Sequence, residues 1–398
     1  MGLRGDAAIV GLVELDAERK PTRQPATSLE QWASLAKAAL DDSGLRPEQV
    51  DGIVTSSLRE SESFVPSTIA EYLGLPVNFG EHVDLGGATS VGMIWRAAAA
   101  IELGLANVVL CVAPGGPLPE STSSNGTWNL YGASSNRYGS PQAEFEIPYG
   151  YLGQNGPYAT IAHRYGEEFG YDPRALAKIA VDQRTNACAY PPAVFYGQPI
   201  TIDDVLNSPM IADPLHLLEC VMPCYGGAAI VVASGDVARR QAKHRPVWVK
   251  GFGERVAWKM PAYVADLTHS PIREAAQQAF TMADVSREDI DMISVYDCYT
   301  ITVLMTLENA GFCDLGRGID FVNSHDLTFR GDFPCNTHGG QLSFGQAGLA
   351  GGMSHVCDGV RQVMGRSGEN QVRDCNNAFV SGNGGIMSEQ AALILQGD

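Results

Sequence analysis

Short apolar runs alternate along the chain with longer segments in which apolar residues recur at helical spacing. Residues 28–42 and 268–282 repeat alanine, leucine and other apolar side chains every three or four positions, which predicts amphipathic helices. Each is followed by a polar turn and then by an apolar run with the length of a buried strand. This alternation predicts an α/β fold built from layers of helices and strands. The apolar runs are residues 52–55, 107–112, 228–233, 292–296 and 391–395.

The chain carries an internal repeat. Residues 43–57 match residues 283–297 in their acidic and apolar positions, and the helical segments before them match at the same shift. The runs GGAAIVVAS from Gly226 and AALILQG from Ala391 each follow a glycine-rich turn and close the two copies. These closing runs are separated by a smaller shift than the opening ones. The first copy must therefore contain an insertion.

The insertion is predicted at residues 114–158, which are rich in Gly, Ser, Asn, Pro and Tyr and lack apolar periodicity. A connection this long in a compact domain is usually a functional loop. The rest of the surplus is expected in the helical stretch 159–210. The predicted halves are 1–240, including the loop domain at about 114–158, and 241–398. Aromatic loop side chains could line a substrate tunnel or simply anchor packing; they are Trp128, Tyr131, Tyr138, Tyr149 and Tyr151.

Charge and cysteine usage narrow the class of protein. The net charge of −18 argues against non-specific binding to nucleic acid and against docking on anionic membranes. The chain contains no apolar run as long as a membrane span, and its N-terminal segment does not have the pattern of a signal peptide. A cytoplasmic protein is expected. Nine cysteines without metal-ligand spacing predict free thiols and no metal site.

The segment NTHGGQLSFGQAGLAGG at 336–352 is the strongest candidate for a functional element. Its glycines allow the backbone to approach a ligand closely, and His338 and Gln346 lie among them. The same pattern is also typical of a tight turn between a strand and a buried helix. On spacing alone the two interpretations stay open.

Four motifs together resemble the thiolase superfamily over essentially the whole chain. The sterol-carrier-protein thiolase-like branch, whose bacterial members are often called lipid-transfer proteins, is the most similar group. This resemblance implies an α/β, five-layered αβαβα fold of two duplicated halves with an inserted loop domain. The motifs are GATSV at 87–91, YDCY at 296–299, NTHGG with GQA at 336–347, and SGNGG at 381–385.

The chain departs from the family at the chemically important position of each motif. Gly87 occupies the place of the nucleophilic cysteine, so no acyl-enzyme can form there. Tyr296 replaces the residue that holds a catalytic water, and its phenol can donate a proton or act as a base. Gln346 replaces a histidine and can donate a hydrogen bond without shuttling protons. Ser381 replaces a second cysteine or histidine and is suited to hydrogen bonding.

These departures favour retro-aldol cleavage of a bulky, steroid-like β-hydroxyacyl-CoA, which needs no acyl-enzyme. Tyr296, with His338 or Tyr299, would transfer protons, while Gln346 would contact the thioester oxygen. Ser381 completes the predicted catalytic set. Further substrate and oxyanion contacts are predicted from Gly87, Phe344, Asn383 and Gly384.

Two alternatives and several partners accompany this prediction. A divergent thiolase acting on a β-ketoacyl-CoA would need a substitute nucleophile such as Cys298, and a non-catalytic lipid or acyl-CoA carrier or scaffold subunit would need none. The resemblance implies a homodimer that joins a small OB-fold and zinc-ribbon protein in a heterotetramer. No tightly bound cofactor is expected, and the substrate would be a coenzyme A thioester. Lys259 could meet that coenzyme or lie on a surface turn.

Overall fold

The fold is taken from a computed structural model that describes residues 5–119, 137–259 and 261–398. The strands are β1 (Ala7–Glu14), β2 (Gly52–Thr55), β3 (Phe79–His82), β4 (Val108–Gly115), β5 (Met210–Ala212), β6 (Leu215–His216), β7 (Gly226–Ser234), β8 (Val247–Val256), β9 (Met292–Ser294), β10 (Asn377–Gly384) and β11 (Glu389–Gln396). The α-helices are α1 (Ser28–Ser43), α2 (Val65–Leu73), α3 (Thr89–Glu102), α4 (Pro141–Phe145), α5 (Asn155–Phe169), α6 (Pro173–Cys188), α7 (Ile202–Leu206), α8 (Gly235–Gln241), α9 (Ile272–Ala283), α10 (Thr300–Asn309), α11 (Gly318–Ser324), α12 (Gly340–Ser343) and α13 (Ala350–Met364).

The sheet repeats the same strand order in both halves. Nine strands form one mixed sheet in the order β3-β2-β4-β7-β1-β8-β11-β10-β9. Read outward from its middle, β1, β7, β4 and β2 on one side correspond to β8, β11, β10 and β9 on the other. The halves meet where Ala8 and Ile9 of β1 pair with Trp248 and Val247 of β8. The duplication expected from the sequence is therefore present in the topology.

Helices cover the sheet in layers. The helices α3 and α13 pack against each other and contact strands of both halves, including β7 and β10. A hydrophobic core around them joins residues from the two halves. Separate cores lie beneath α1 in the first half and beneath α9 in the second. The layers are α1, the strands of the first half, α3 with α13, the strands of the second half, and α9. This is the five-layered α/β fold that the resemblance implied.

Close approach between β8 and α9 depends on two glycines. A Cβ on Gly251 or Gly253 would collide with the backbone carbonyl oxygens of Ala279 and Ala275, respectively. The missing side chains let the helix lie directly on the strand. The helix therefore packs closely on the first strand of the second half.

The insertion is more helical than its composition indicates. Within the segment predicted as a loop, α4 forms and α5 begins at Asn155. Trp128 and Tyr131 lie outside the described residues, whereas Tyr138 and Tyr149 are exposed and Tyr151 bonds to Thr160. The expected helical stretch 159–210 contains most of α5 together with α6 and α7. Along the described ranges, no helix has the length and apolar character needed to cross a membrane.

Candidate active site

A cavity of about 480 Å³ lies where elements of both halves converge. Its walls come from the start of α3, the segment after β9, the glycine-rich segment and the end of β10. Among the predicted site residues, it is lined by Gly87, Tyr296, Gln346 and Asn383. The structure thus brings together residues that are far apart in the sequence.

The Tyr296 hydroxyl occupies the space in which a side chain of residue 87 would begin. A Cβ on Gly87 would lie less than 3.0 Å from the oxygen and Cζ of Tyr296 and from the backbone oxygen of Asn383. Glycine at position 87 is therefore required by the positions of the tyrosine and of the Asn383 carbonyl. Ala88 is the N-cap of α3, a helix of 14 residues. The partial positive charge at the start of that helix favours negative charge on a nearby oxygen.

Gln346 is oriented towards the tyrosine. Its Nε2 donates to the Tyr296 hydroxyl oxygen over 2.7 Å, and both side chains are buried. Backbone hydrogen bonds of Gln346 with Met222 and Cys224, at 2.8 and 3.0 Å, fix this part of the glycine-rich segment. An amide donor stabilises a phenolate oxygen but cannot carry a proton away from it.

Asn383 connects the cavity to Tyr158, a residue that no motif in the sequence indicates. Gln390 Nε2 donates to Asn383 Oδ1 over 2.8 Å, which turns the amide nitrogen towards the Tyr158 hydroxyl, 3.0 Å away. Burial raises the pKa of Tyr158 well above its usual range. Tyr158 also lines the cavity, so it supplies a phenol that stays protonated and can donate a hydrogen bond.

Cys298 lines the same cavity but is poorly suited to act as a nucleophile. The side chain is buried, and burial raises the pKa of its thiol to about 12. Only the thiolate attacks a thioester readily. At neutral pH the Cys298 thiol stays protonated.

Ser381 and Tyr299 surround the cavity residues without being among its lining residues. The Ser381 hydroxyl accepts a 3.4 Å hydrogen bond from the backbone nitrogen of Tyr296 and so steadies the tyrosine. The Tyr299 hydroxyl donates to Asn155 Oδ1, and its ring lies 4.5 Å from that of Tyr158. Their catalytic roles stay predictions.

His338, Phe344 and Gly384 are likewise placed outside the cavity lining. His338 is buried, with its Nδ1 3.0 Å from Asp358 Oδ2 and its ring 5.1 Å from that of Phe344. Burial lowers the pKa of His338, but the Asp358 carboxylate outweighs burial and raises it above the ordinary value. Gly384 packs against the Leu85 carbonyl, where a Cβ would not fit. A catalytic role for His338 and binding roles for Phe344 and Gly384 stay predictions.

Charged groups occupy one part of the cavity wall. Lys259 lies there with Asp84 and Glu389. Burial lowers the pKa of Lys259 and raises that of Glu389. Contact of Lys259 with the coenzyme stays a prediction. Within the described ranges, no group of three or more side chains has the composition and proximity of a metal site.

Known proteins resemble this chain along its whole length. The family model of the thiolase C-terminal domain-like family matches residues 253–397. A steroid side-chain-cleaving aldolase of Thermomonospora curvata is 33% identical over 100% of this chain and 99% of its own. A 17-hydroxy-3-oxo-4-pregnene-20-carboxyl-CoA lyase of Mycobacterium tuberculosis is 31% identical over 96% of this chain and 98% of its own.

A solved structure is similar to this chain in both sequence and fold. The structure of an Ltp2-ChsH2(DUF35) aldolase has a TM-score of 0.86 and 31% identity, over 100% of this chain and 99% of that one. The chain belongs to the thiolase superfamily and, within it, to the sterol-carrier-protein thiolase-like branch.

Proposed function

We propose that this protein is an acyl-CoA carbon–carbon lyase that cleaves a bulky β-hydroxyacyl-CoA by a retro-aldol reaction. The observation that carries the proposal is the Tyr296 hydroxyl, which fills the space at Gly87 and accepts a hydrogen bond from Gln346. The base that we propose thus lies at the position where the family places its nucleophile. One relative is named a steroid side-chain-cleaving aldolase and another a 17-hydroxy-3-oxo-4-pregnene-20-carboxyl-CoA lyase, and these names support a steroid or similarly bulky acyl group.

In the first step, the Tyr296 phenolate removes the proton from the β-hydroxyl group. The β-oxygen forms a carbonyl as the bond between the α- and β-carbons breaks, and the electron pair moves onto the thioester as an enolate. Gln346 and the start of α3 favour the anionic form of the tyrosine before this step.

In the second step, the enolate oxygen is held by hydrogen-bond donors while the α-carbon takes up a proton. Tyr158 is suited to donate because its hydroxyl stays protonated and lies in the cavity wall. The proton collected by Tyr296 balances the one gained by the α-carbon. The products are a ketone or aldehyde and a shorter acyl-CoA, and no free coenzyme A is consumed.

A thiolase mechanism fits this site less well. Thiolysis needs a cysteine that receives the acyl group, and Gly87 has no side chain. Cys298, in the YDCY motif, is the substitute nucleophile that the sequence offers, yet its raised pKa keeps the thiol neutral. Lys259 is proposed to contact the anionic part of coenzyme A, with no tightly bound cofactor involved.

The quaternary structure is also a proposal. We infer a homodimer that associates with a small OB-fold and zinc-ribbon protein as a heterotetramer. The similar structure of an Ltp2-ChsH2(DUF35) aldolase supports a partner of the DUF35 type. Activity should therefore be measured with such a partner co-expressed.

The test is cleavage of a β-hydroxyacyl-CoA with a steroid-like acyl group by the purified complex. Ketone and shortened acyl-CoA should form in equal amounts without added coenzyme A. Tyr296→Phe should reduce kcat by about 100-fold or more without changing the melting temperature. Tyr151→Phe, which alters a tyrosine bonded to Thr160, is the control. A strict requirement for added coenzyme A would support thiolysis instead, and tight binding without turnover would support a carrier.

A further inference from the structure

A second cavity, of about 580 Å³, lies next to the candidate active site. Gly348 and Leu349 line both cavities, so the two spaces are adjacent. The other walls of the second cavity come mainly from the first turn of α1, residues 56–59, the segment 114–118 and residues 224–225. The proposed reaction assigns no role to this space.

The second cavity lies at the carboxyl ends of two neighbouring strands. Strands β2 and β4 pair in parallel. Strand β2 ends directly before the lining residues 56–59, and β4 ends at Gly115, which lines the cavity itself. In α/β sheets, ligands commonly bind in the crevice outside the carboxyl ends of the strands. The second cavity therefore has the position of a ligand site.

Side chains at the start of α1 hold the walls of the second cavity in place. Gln31 Oε1 accepts a 2.9 Å hydrogen bond from the backbone nitrogen of Gly116, and its Nε2 donates to the Pro117 carbonyl oxygen over 3.2 Å. Ser28 Oγ accepts from the backbone nitrogen of Arg59 over 3.2 Å. The loops after β2 and β4 are thus tied to the same helix. A site whose walls are already ordered loses less affinity to ordering when a ligand binds.

The two cavities differ in their charged groups. Asp84, Lys259 and Glu389 all line the active-site cavity. Among the described residues that line the second cavity, none is acidic and Arg59 is the single basic one. A wall of this composition suits an uncharged group that gains by leaving water. The apolar residues on this wall are Leu58, Pro114, Leu118, Tyr225, Ala347 and Leu349.

Gly348 leaves the junction between the two cavities open. A Cβ at this position would meet no atom within 4 Å, so it would project into empty space. The backbone of Gly348 has a φ of 57°, a left-handed conformation that favours glycine. A flat group can therefore lie directly against the backbone here and pass from one cavity into the other.

We propose that the second cavity binds the bulky part of the acyl group as a flat, uncharged, polycyclic ring system. This inference rests on the proposed function, in which Tyr296 takes the proton of the β-hydroxyl group and Lys259 contacts the coenzyme. The β-carbon then lies next to Tyr296, and the ring system attached to it extends past Gly348 and Leu349 into the second cavity. The coenzyme and the ring system thus contact different parts of the protein.

The outer end of the second cavity carries polar groups. Ser57 and Arg59 line it and are exposed. The Arg59 guanidinium only donates hydrogen bonds, so it fits a carbonyl oxygen at the end of the ring system remote from the reacting carbons. Apolar walls with a few placed polar groups are the usual composition of a site for a mostly apolar ligand.

The experiment measures binding of 4-androstene-3,17-dione, a flat and uncharged polycyclic ketone with an oxygen at each end, to the purified complex. Leu118→Trp places an indole in the second cavity and should weaken ketone binding by about tenfold or more, because the rings lose apolar contact. Leu105→Trp is the matched control, since it makes the same change at an exposed position before the opposite end of β4. It should leave ketone binding unchanged, and neither variant should alter the affinity for coenzyme A.

Three results of this experiment would overturn the proposal. The first is a wild type that does not bind the ketone, and the second is equal ketone affinity in the wild type and in Leu118→Trp. The third is a Leu118→Trp variant that loses affinity for coenzyme A, because the coenzyme would then occupy the second cavity. If Leu118→Trp does not fold, Ser57→Trp fills the same cavity from an exposed position and should weaken ketone binding in the same way.

Turnover separates this inference from the proposed function. The kcat/KM of Leu118→Trp for a steroidal β-hydroxyacyl-CoA should fall by about tenfold or more, whereas that of Leu105→Trp should not change. Cleavage by Leu118→Trp with the kcat/KM of the wild type would overturn the inference and leave the proposed function intact. Ketone binding that depends on position 118, without cleavage of any β-hydroxyacyl-CoA, would instead locate the failure in the proposed function.

Discussion

Replacing Gly87 by alanine tests how tightly the position of Tyr296 is determined. The new Cβ would begin less than 3.0 Å from the tyrosine oxygen, whereas ordinary contacts between carbon atoms are about 3.5–4.0 Å. The tyrosine and the Asn383 carbonyl must therefore both move away from the new Cβ, and a retreat of the tyrosine by roughly 1 Å stretches its 2.7 Å bond with Gln346 beyond hydrogen-bonding distance. A displacement of that size typically costs about 100-fold in rate, and overpacking costs about 1–3 kcal/mol of stability.

The assay is steady-state cleavage of the β-hydroxyacyl-CoA, with thermal unfolding followed by circular dichroism on the same samples. We expect Gly87→Ala to lower kcat by about 100-fold while the protein remains folded. Gly156→Ala is the matched control, because its Cβ would meet Tyr151 at an ordinary distance of 3.4 Å. A kcat close to that of the wild type would refute the steric argument. So would a crystal structure of the variant in which Tyr296 has not moved.

Three further predictions follow from the same contacts. Gln346→Leu should lower kcat in the lyase assay by roughly tenfold or more, because the Tyr296 phenolate loses its hydrogen-bond donor. An unchanged rate would contradict this role of Gln346. Iodoacetamide at pH 8 should leave Cys298 unlabelled in the folded protein, as measured by mass spectrometry, because burial raises the pKa of this thiol to about 12. Rapid labelling would support the thiolase alternative. Asp358→Asn should lower the melting temperature most between about pH 4 and 6.5. The pKa of Asp358 is lowered in the folded protein, so its ion pair stabilises the fold above the unfolded-state pKa of an aspartate and this stabilisation is lost in acid. The pKa of His338 is raised, so its contribution is complete below the unfolded-state pKa of a histidine and is lost as the pH rises through the folded-state pKa. A difference in melting temperature that stays constant across pH would refute the pairing.

The fold could be predicted from the sequence because its signals are local and repeated. An amphipathic helix, a polar turn and an apolar strand recur in both halves, and the matched strands β2 and β9 occupy equivalent places in the sheet. The boundary of the insertion was predicted less well. Composition alone placed residues 155–158 in a loop, whereas the structure begins α5 at Asn155, since packing of that helix against the second half outweighs local composition.

The chemistry of the site was harder to predict because it depends on contacts between distant residues. Motif positions identified Tyr296 and Gln346 but could not indicate that the amide would point at the phenol rather than at a thioester. Tyr158 lies in no motif and reaches the cavity only through the fold of the insertion. His355 sits in an ordinary helical pattern, and only the fold brings it to within 3.1 Å of Asp297 and against the Tyr296 ring.

The residues at positions 87 and 296 are best understood as one change rather than two. A cysteine at 87 and the present tyrosine at 296 cannot coexist, because the hydroxyl and the Cβ would occupy the same space. A side chain at position 87 would meet both this phenol and the Asn383 carbonyl, so the phenol can lie at the start of α3 only with glycine at 87. The same helix terminus that would stabilise a thiolate can then stabilise a phenolate. Under the proposed function, the chain keeps a helix terminus that favours negative charge and places a phenol oxygen there instead of a thiol, so that the position of a nucleophile becomes the position of a base.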